Sequence, residues 1–222
     1  RSSQQSPYCV AVGSQRPAPP PPEPLTPLID AHTHLDACGA RDADDVRVIA
    51  DRAAAVGVLA MVTIADDLDA ARWAVRAADW DWRVYAAVAL HPTRANALTD
   101  AARAEIEALA AHPRVVAIGE TGMDLYWPGR LDGCAQPHEQ RESFAWHIDL
   151  AKRTGKPLMI HNRDADADVL AVLRAEGAPP TATRPRDATC SSSWAMSKIG
   201  SLMASFLSSL SQVFLMMRAR GS

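Results

Sequence analysis

Residues 28–36 have the sequence LIDAHTHLD, an apolar run that ends in an H-x-H motif. A short apolar run followed by polar residues predicts a buried β-strand and its end. Because side chains two positions apart on a strand point to the same side, His32 and His34 would converge on one point. Two imidazoles at this spacing can bind one divalent metal, although an H-x-H triplet also occurs by chance. The stretch therefore predicts a strand whose end offers two metal ligands.

Four more apolar runs follow, beginning near positions 58, 84, 115 and 157, and alanine-rich stretches with helical spacing lie between them. This alternation is typical of βα units and a parallel sheet. It fits a doubly wound sheet as well as a (β/α)₈ barrel, and the spacing of strands and helices alone does not distinguish these two folds. The clearest helix is predicted from Pro137 to Gly155, and Asp164 is placed to cap the next one.

Three of the later runs also end in residues that can bind a metal. They end at His91, Glu120 and His161. The carboxyl ends of parallel strands form one face, and the active sites of βα proteins lie on that face. Any one of these residues could simply mark the end of a strand, but the fold would gather all of them at one opening. The remaining histidines are predicted to lie on solvated helix surfaces: His112, His138 and His147.

The composition is that of an ordinary globular protein. The 222-residue chain is 48% hydrophobic and 22% charged, with a formal net charge of −3. It can bury a core, and it excludes a broadly basic nucleic-acid coat but not a local phosphate site. Its four cysteines form no C-x-x-C pair, so neither a disulfide framework nor a cysteine-based zinc site is indicated. Since the first residues show no secretory signal pattern, we expect a cytoplasmic protein.

Composition also divides the chain into three regions. Residues 1–24 are rich in proline and are predicted to be a disordered tail, acting as a linker or as an SH3-type ligand. Residues 25–180 carry the strand and helix pattern. Residues 181–222 are rich in serine and contain no histidine. Within them, 199–217 has helical spacing and predicts an amphipathic surface helix, because its interleaved serines argue against a membrane span.

Five motifs in order give the sequence a specific resemblance to the TatD family of metal-dependent hydrolases, among the amidohydrolase-like barrels. They are LIDAHTHLD at 28–36, LHP at 90–92, AIGETGMD at 117–124, the segment 136–144, and IHNR at 160–163. Family members are (β/α)₈ barrels, and several are DNA exonucleases that use two divalent metals. The resemblance implies that residues 25–180 form an incomplete α/β barrel of this type, with about five βα units.

Residue by residue, the resemblance implies a metal site at the strand ends. His32 and His34 would be ligands of one metal, and His161 would bind a second. Glu120 would bridge the two metals and is the catalytic candidate. Imidazole and carboxylate ligands without thiolate suit zinc, manganese or magnesium.

The resemblance also implies a substrate and a reaction. His91 would line the site, and Arg163 would contact a substrate phosphate. The implied activity is exonuclease-type hydrolysis of DNA phosphodiester bonds, with a single strand as substrate and no stable protein or membrane partner. Two divalent metals about 4 Å apart can activate a water and stabilise the charge of both reacting oxygens.

Two later motifs of the family are missing from this sequence. Relatives continue with a His-Cys-Phe-Ser-Gly-like strand end and a Glu-Thr-Asp-like motif, and neither follows Pro180. We therefore expect that the reading frame is lost near Thr181, that residues 181–222 lie outside the family, and that activity is impaired. Two alternatives stay open: another amidohydrolase-superfamily enzyme, acting on a C–N or lactone bond, or a non-catalytic metal-binding fragment.

Overall fold

The computed structural model describes residues 27–177, together with Glu23, Pro179 and the short strand Ala182–Thr183. Apart from Glu23, the predicted tail at 1–24 lies outside the described residues, and so does the predicted helix at 199–217. The division of the chain into three regions therefore stays a prediction.

Strands and helices alternate along the described residues. The strands are β1 Leu28–Thr33, β2 Val58–Ile64, β3 Val84–Val88, β4 Val115–Asp124, β5 Leu158–Arg163 and β6 Ala182–Thr183. The helices are α1 Ala43–Ala55, α2 Leu68–Trp80, α3 Asp100–Ala110, α4 Pro137–Thr154 and α5 Asp166–Glu176, and a 3-10 helix, Pro92–Ala97, follows β3.

The order of the strands distinguishes a doubly wound sheet from a (β/α)₈ barrel. Each strand pairs in parallel with the next one along the chain, from β1 to β6 without a reversal. A doubly wound sheet changes direction at a switch point, whereas a (β/α)₈ barrel adds its strands in one sense. The sheet is accordingly a curled half-barrel, and the predicted incomplete barrel is confirmed.

The five predicted strands are present, but two of them extend further than their apolar runs. β4 continues to Asp124 and β5 to Arg163, so the polar residues after these apolar runs belong to the strands. The two extensions pair with each other, with Gly122 opposite His161 and Asp124 opposite Arg163. β6 has two residues and was not predicted.

The core lies between the sheet and the helices on its outer face. Small residues of α2 let that helix approach the sheet closely, and Ala71, Ala74 and Ala77 are all buried. Helix α4 buries Phe144 and Ile148 completely, as their spacing predicted. Gly155 ends α4 in the left-handed conformation, at φ +65°, which confirms the predicted stop.

Two predictions about the helices are wrong. Asp164 does not cap α5: the N-cap residue is Ala165, and no side chain caps this helix. His147 is fully buried rather than on the surface, since it lies three residues after Phe144 and shares its buried face. Its Nε2 accepts from the backbone N–H of Leu90 at 3.3 Å, and its Nδ1 donates to the carbonyl oxygen of Ser143 at 2.7 Å. His138 is exposed, as predicted.

Candidate metal centre

Glu120 lies at the centre of the residues that the sequence placed at the strand ends. One carboxylate oxygen, Oε1, accepts from His161 Nδ1 at 3.0 Å. The other, Oε2, lies 3.4 Å from His32 Nε2. The ligand atoms of His32, His34 and Glu120 all lie within 4.8 Å of one another. The structure therefore brings the four predicted metal ligands together at one rim of the half-barrel.

A second group of possible ligands adjoins the first. The ligand atoms of His91, Asp124 and His161 also lie within 4.8 Å of one another. His161 Nε2 donates to Asp124 Oδ2 at 2.9 Å, and His91 Nε2 faces His161 Nδ1 at 3.2 Å. Because His161 contacts both Glu120 and Asp124, it connects the two groups.

Asp124 was not assigned a role from the sequence, although it ends the AIGETGMD motif. It is completely buried, and it lies on the same face of β4 as Glu120 because the two are four residues apart on a strand. Both are acidic residues at even spacing on one strand, and that spacing was a signal that could have identified Asp124.

Gly122, between these two carboxylates, explains how β4 and β5 come so close. It has φ +142°, and a Cβ at this position would overlap the carbonyl oxygen of His161. Gly119 is similarly tight, because its Cβ would lie 2.5 Å from the Cβ of Met159. Only glycine leaves room for the backbone of β5 here, so the glycines of the motif set the distance between Glu120 and His161.

The two buried carboxylates remain charged. Burial raises the pKa of Glu120, but hydrogen bonds with His161 and His32 outweigh this effect and hold the pKa below its ordinary value. For Asp124 too, burial raises the pKa and the hydrogen bond from His161 lowers it, with a net decrease. Buried negative charges need positive partners, and here His161 alone contacts both. Two ionised carboxylates at one rim are ligands that a cation can share.

The pKa values of the two histidines of the second group shift in opposite directions. Burial lowers the pKa of His161, but its hydrogen bonds to Asp124 and Glu120 raise it further, so the net shift is upward. Burial, followed by the nearby charge of His161, lowers the pKa of His91 to about 3. His91 is consequently neutral at physiological pH, and its Nδ1 lies 2.8 Å from Thr93 Oγ1.

The residues at this rim fit a divalent metal. The Nδ1 atom of His32 is buried and has no hydrogen-bond partner among the residues that the structure describes. A buried polar atom of this kind is normally satisfied by a ligand, an ion or a water. Four imidazoles and two carboxylates, with no thiolate among them, are a donor set that suits zinc, manganese or iron, and also magnesium through the carboxylates.

Asp66 is another acidic residue at this rim, and it was not predicted from the sequence. It follows β2, whose carboxyl end had been given no functional residue, and its Oδ1 lies 3.9 Å from His34 Nδ1. Burial raises the pKa of Asp66, and the charges of Glu120 and Asp36 raise it further, while His34 lowers it. Every one of the first five strands therefore brings an ionisable residue to this rim.

The two predicted substrate-binding residues lie at different depths. His91 is only 5% exposed and contacts His161 and Thr93. Arg163 is partly exposed, with its Nε 4.0 Å from Asp124 Oδ2. Arg163 is thus accessible to solvent, whereas His91 belongs geometrically with the buried ligand group.

Comparison with known proteins identifies the family of this chain. Residues 29–219 match the family model described as TatD related DNase. The chain belongs to this family. It is 80% identical over 154 residues to an uncharacterized metal-dependent hydrolase, TatD, of Mycobacterium tuberculosis, covering 69% of this chain and 58% of the relative. It is 32% identical over 131 residues to the 3'-5' ssDNA/RNA exonuclease TatD of Musicola paradisiaca, covering 59% of this chain and 48% of the relative.

Solved structures of TatD proteins show the same fold. The TatD homologue YjjV of Escherichia coli K12 superposes with a TM-score of 0.59 at 26% identity, covering 68% of this chain and 57% of that structure. A TatD-family hydrolase of Entamoeba histolytica gives a TM-score of 0.60 at 21% identity, covering 70% and 56%. The matched part of the chain thus spans about half the length of these relatives and structures, from 48% to 58%.

The TatD assignment confirms the predicted family and its class, a metal-dependent hydrolase. The family match runs to residue 219, past Pro180, whereas the alignment with the M. tuberculosis relative covers 154 residues. The interpretation of 181–222 as sequence from outside the family therefore stays a prediction. Among the described helices, none is long and apolar enough to cross a bilayer.

Proposed function

We propose that this chain belongs to an enzyme that hydrolyses phosphodiester bonds of single-stranded DNA in exonuclease fashion. The observation that carries the proposal is the meeting of four imidazoles and two carboxylates at the carboxyl rim of a TatD-type half-barrel. The Musicola relative is named as a 3'-5' ssDNA/RNA exonuclease, which supports the choice of substrate.

Two groups of side chains would hold two divalent metals. His32, His34 and Glu120 would bind one, while Asp124 and His161 would bind the other with Glu120 shared between them. Divalent cations held there would supply Lewis acidity toward the phosphodiester group.

The chain's own residues orient the candidate metal ligands and offer one cation to the substrate. Glu120 stays ionised and holds His32 and His161 in place through its two oxygens. Asp124 fixes the other nitrogen of the His161 ring. Arg163, partly exposed beside Asp124, would bind a phosphate of the strand through its planar guanidinium group.

We also propose that turnover by this chain is low. Among the described strands, β1 pairs with β2 only and β6 with β5 only, so both edges of the sheet lack partners there. A (β/α)₈ barrel surrounds its active rim with eight strands, and a half-barrel offers ligands from one side of it. We expect such an open sheet to be less stable than a closed barrel and to hold its metal-binding side chains less rigidly.

The proposal is tested by nucleotide release. The purified chain is incubated with a labelled DNA single strand and manganese or magnesium, beside Glu120→Gln and the matched surface variant Glu142→Gln, whose side chain is 72% exposed. We expect metal-dependent release that Glu120→Gln lowers at least about 100-fold and Glu142→Gln leaves unchanged. Release that survives in Glu120→Gln would indicate a contaminant and contradict the proposal.

The same preparation tests the non-catalytic alternative. Metal uptake is measured by titration on the parent chain and on a His32→Ala, His34→Ala double variant. Metal binding that requires these histidines, without any nucleotide release, would favour a non-catalytic metal-binding fragment.

A further inference from the structure

Two aromatic rings and two guanidinium groups lie together just beyond the end of β4. We call this set, Tyr126, Trp127, Arg130 and Arg163, the aromatic–arginine cluster. The Tyr126 and Trp127 rings meet edge to face with centroids 4.9 Å apart. The guanidinium carbon of Arg163 lies 5.7 Å from the centre of the Tyr126 ring and 6.0 Å from that of Trp127, and Arg130 lies 4.7 Å from Tyr126.

The cluster is fixed to the candidate metal centre through Asp124. Its Oδ1 accepts from the backbone N–H groups of Tyr126 at 3.0 Å and of Trp127 at 3.1 Å. Its Oδ2 accepts from His161 Nε2 at 2.9 Å. One buried carboxylate therefore holds a possible metal ligand on one side and both aromatic residues on the other. The rings stand at a set position beside the site, not on a free loop.

The exposure of this cluster is unusual for its place in the fold. Among the described residues, the exposed large apolar side chains are Val48, Leu59, Trp82, Tyr126 and Leu170. Of these, Tyr126 alone lies at the carboxyl rim; the others lie on helices or at the amino ends of strands. An exposed aromatic ring beside a charged catalytic rim is a surface that can accept another flat ring.

We propose that the aromatic–arginine cluster is a subsite for an unpaired nucleobase, with Arg163 contacting the phosphate next to it. Bases stack on aromatic side chains and on guanidinium planes, and they do so without regard to sequence because every base has a π-face. A base within a duplex has both faces covered, so the subsite selects single strands. This inference rests on the proposed function, since it names the part of the substrate that the rim holds.

Binding of a strand without bases separates stacking from phosphate contacts. Affinities are measured by fluorescence anisotropy for labelled oligo(dT) and for an abasic strand of equal length. The parent chain is expected to bind oligo(dT) about tenfold or more tightly than the abasic strand. Tyr126→Ala should remove most of this preference, whereas Tyr126→Phe should keep it because the ring remains.

A matched control uses another exposed aromatic residue beside an arginine. Trp82 is 66% exposed and lies against Arg83, before β3 at the other end of the barrel. Trp82→Ala should leave both affinities unchanged. Trp127→Phe, which keeps an aromatic ring, should retain the preference for oligo(dT). Equal binding of both strands by the parent chain, or an undiminished preference in Tyr126→Ala, would overturn the subsite.

Hydrolysis of the same two strands distinguishes the subsite from the proposed function. Both strands contain the same phosphodiester bonds, so Glu120-dependent cleavage of both with equal KM would leave the proposed function standing and refute the subsite. If the binding preference depends on Tyr126 but neither strand is cleaved, the subsite stands and the proposed function is refuted. If both hold, Tyr126→Ala should raise the KM for oligo(dT) and leave that for the abasic strand unchanged.

Discussion

Asp124 connects the candidate metal centre to the loop that follows β4, and each of its oxygens has a different task. Oδ2 accepts from His161, while Oδ1 accepts from the backbone N–H groups of Tyr126 and Trp127. Asparagine preserves the acceptor for the loop but removes the charge from the centre. Alanine removes both, so the two substitutions separate the two tasks.

We therefore expect Asp124→Asn and Asp124→Ala to differ in stability but not in metal binding. In the presence of a chelator, Asp124→Ala should be less stable than Asp124→Asn by about 1–2 kcal/mol, because two backbone donors lose their acceptor. Urea unfolding measures this difference. Both variants should bind manganese more weakly than the parent chain in a titration. Equal stability of the two variants would contradict the role of Oδ1 in the loop.

Gly122 is the second residue on which the site depends. A Cβ there would meet the carbonyl oxygen of His161, and φ +142° is itself unfavourable for other residues. Gly129 also has a positive φ, +77°, but no atom lies within 4 Å of the Cβ position. Comparing these two glycines separates the close approach of β5 from the backbone conformation.

Gly122→Ala should therefore destabilise the protein by roughly 1–3 kcal/mol more than Gly129→Ala. The free energy of unfolding in urea measures this difference. Since β4 would have to move away from β5, Gly122→Ala should also weaken metal binding, and Gly129→Ala should not. If both variants lost the same stability, the overlap with His161 would not determine the spacing of the strands.

At the scale of the elements, the sequence predicted where each of the first five strands begins, because apolar runs mark the part of a strand buried under helices. Apolar runs alone do not mark where β4 and β5 end, because both strands continue through polar residues to Asp124 and Arg163. Asp66 and Asp124 were missed as site residues because a carboxylate beyond an apolar run resembles the start of a loop.

Helix α4 buries one residue whose burial was not predicted from the sequence. The predicted apolar face of Phe144 and Ile148 is buried, but His147 completes that face, and a histidine at a buried position resembles a surface residue in sequence. Its partners are the backbone of Leu90 and the carbonyl of Ser143. The contact between His147 and Leu90 joins residues far apart in the sequence, and it forms only when α4 packs on the sheet.

The burial of His147 makes the packing of α4 sensitive to pH. Burial lowers the pKa of His147 to about 4, below the value of about 6.5 for an exposed histidine. Between these two values the unfolded chain binds more protons, so stability is highest above pH 6.5 and falls as the pH decreases toward 4. The loss attributable to this residue is on the order of 3 kcal/mol.

Unfolding in urea at several pH values tests whether the free energy of unfolding falls as the pH decreases. His147→Gln should flatten the dependence between pH 6.5 and 4, because glutamine does not titrate and its amide can still accept from Leu90. His138→Gln, an exposed histidine on the same helix, should leave the dependence as it is in the parent chain. If the stability of His147→Gln depended on pH as strongly as that of the parent chain, other groups would cause the loss of stability.

For the molecule as a whole, the candidate ligands come from strands that do not all touch. His32 and His34 belong to the amino-terminal edge at β1, whereas Glu120 and His161 lie on β4 and β5, with β2 and β3 between them. In this sheet β1 and β6 do not pair with each other among the described residues. A metal bound by both groups would therefore connect strands that the half-barrel itself leaves apart.

Metal binding should accordingly stabilise this chain, independently of any turnover. At a metal concentration about 100 times Kd, binding to the folded state alone adds about 2.7 kcal/mol, which corresponds to an increase in Tm of about 5–10 °C for a chain of this size. A chelator should reverse the increase, Glu120→Gln should abolish most of it, and Glu142→Gln should retain it. Calorimetry with and without manganese measures these shifts. A Tm that is the same with metal and with chelator would show that the rim does not bind a cation, whatever nuclease activity the preparation contains.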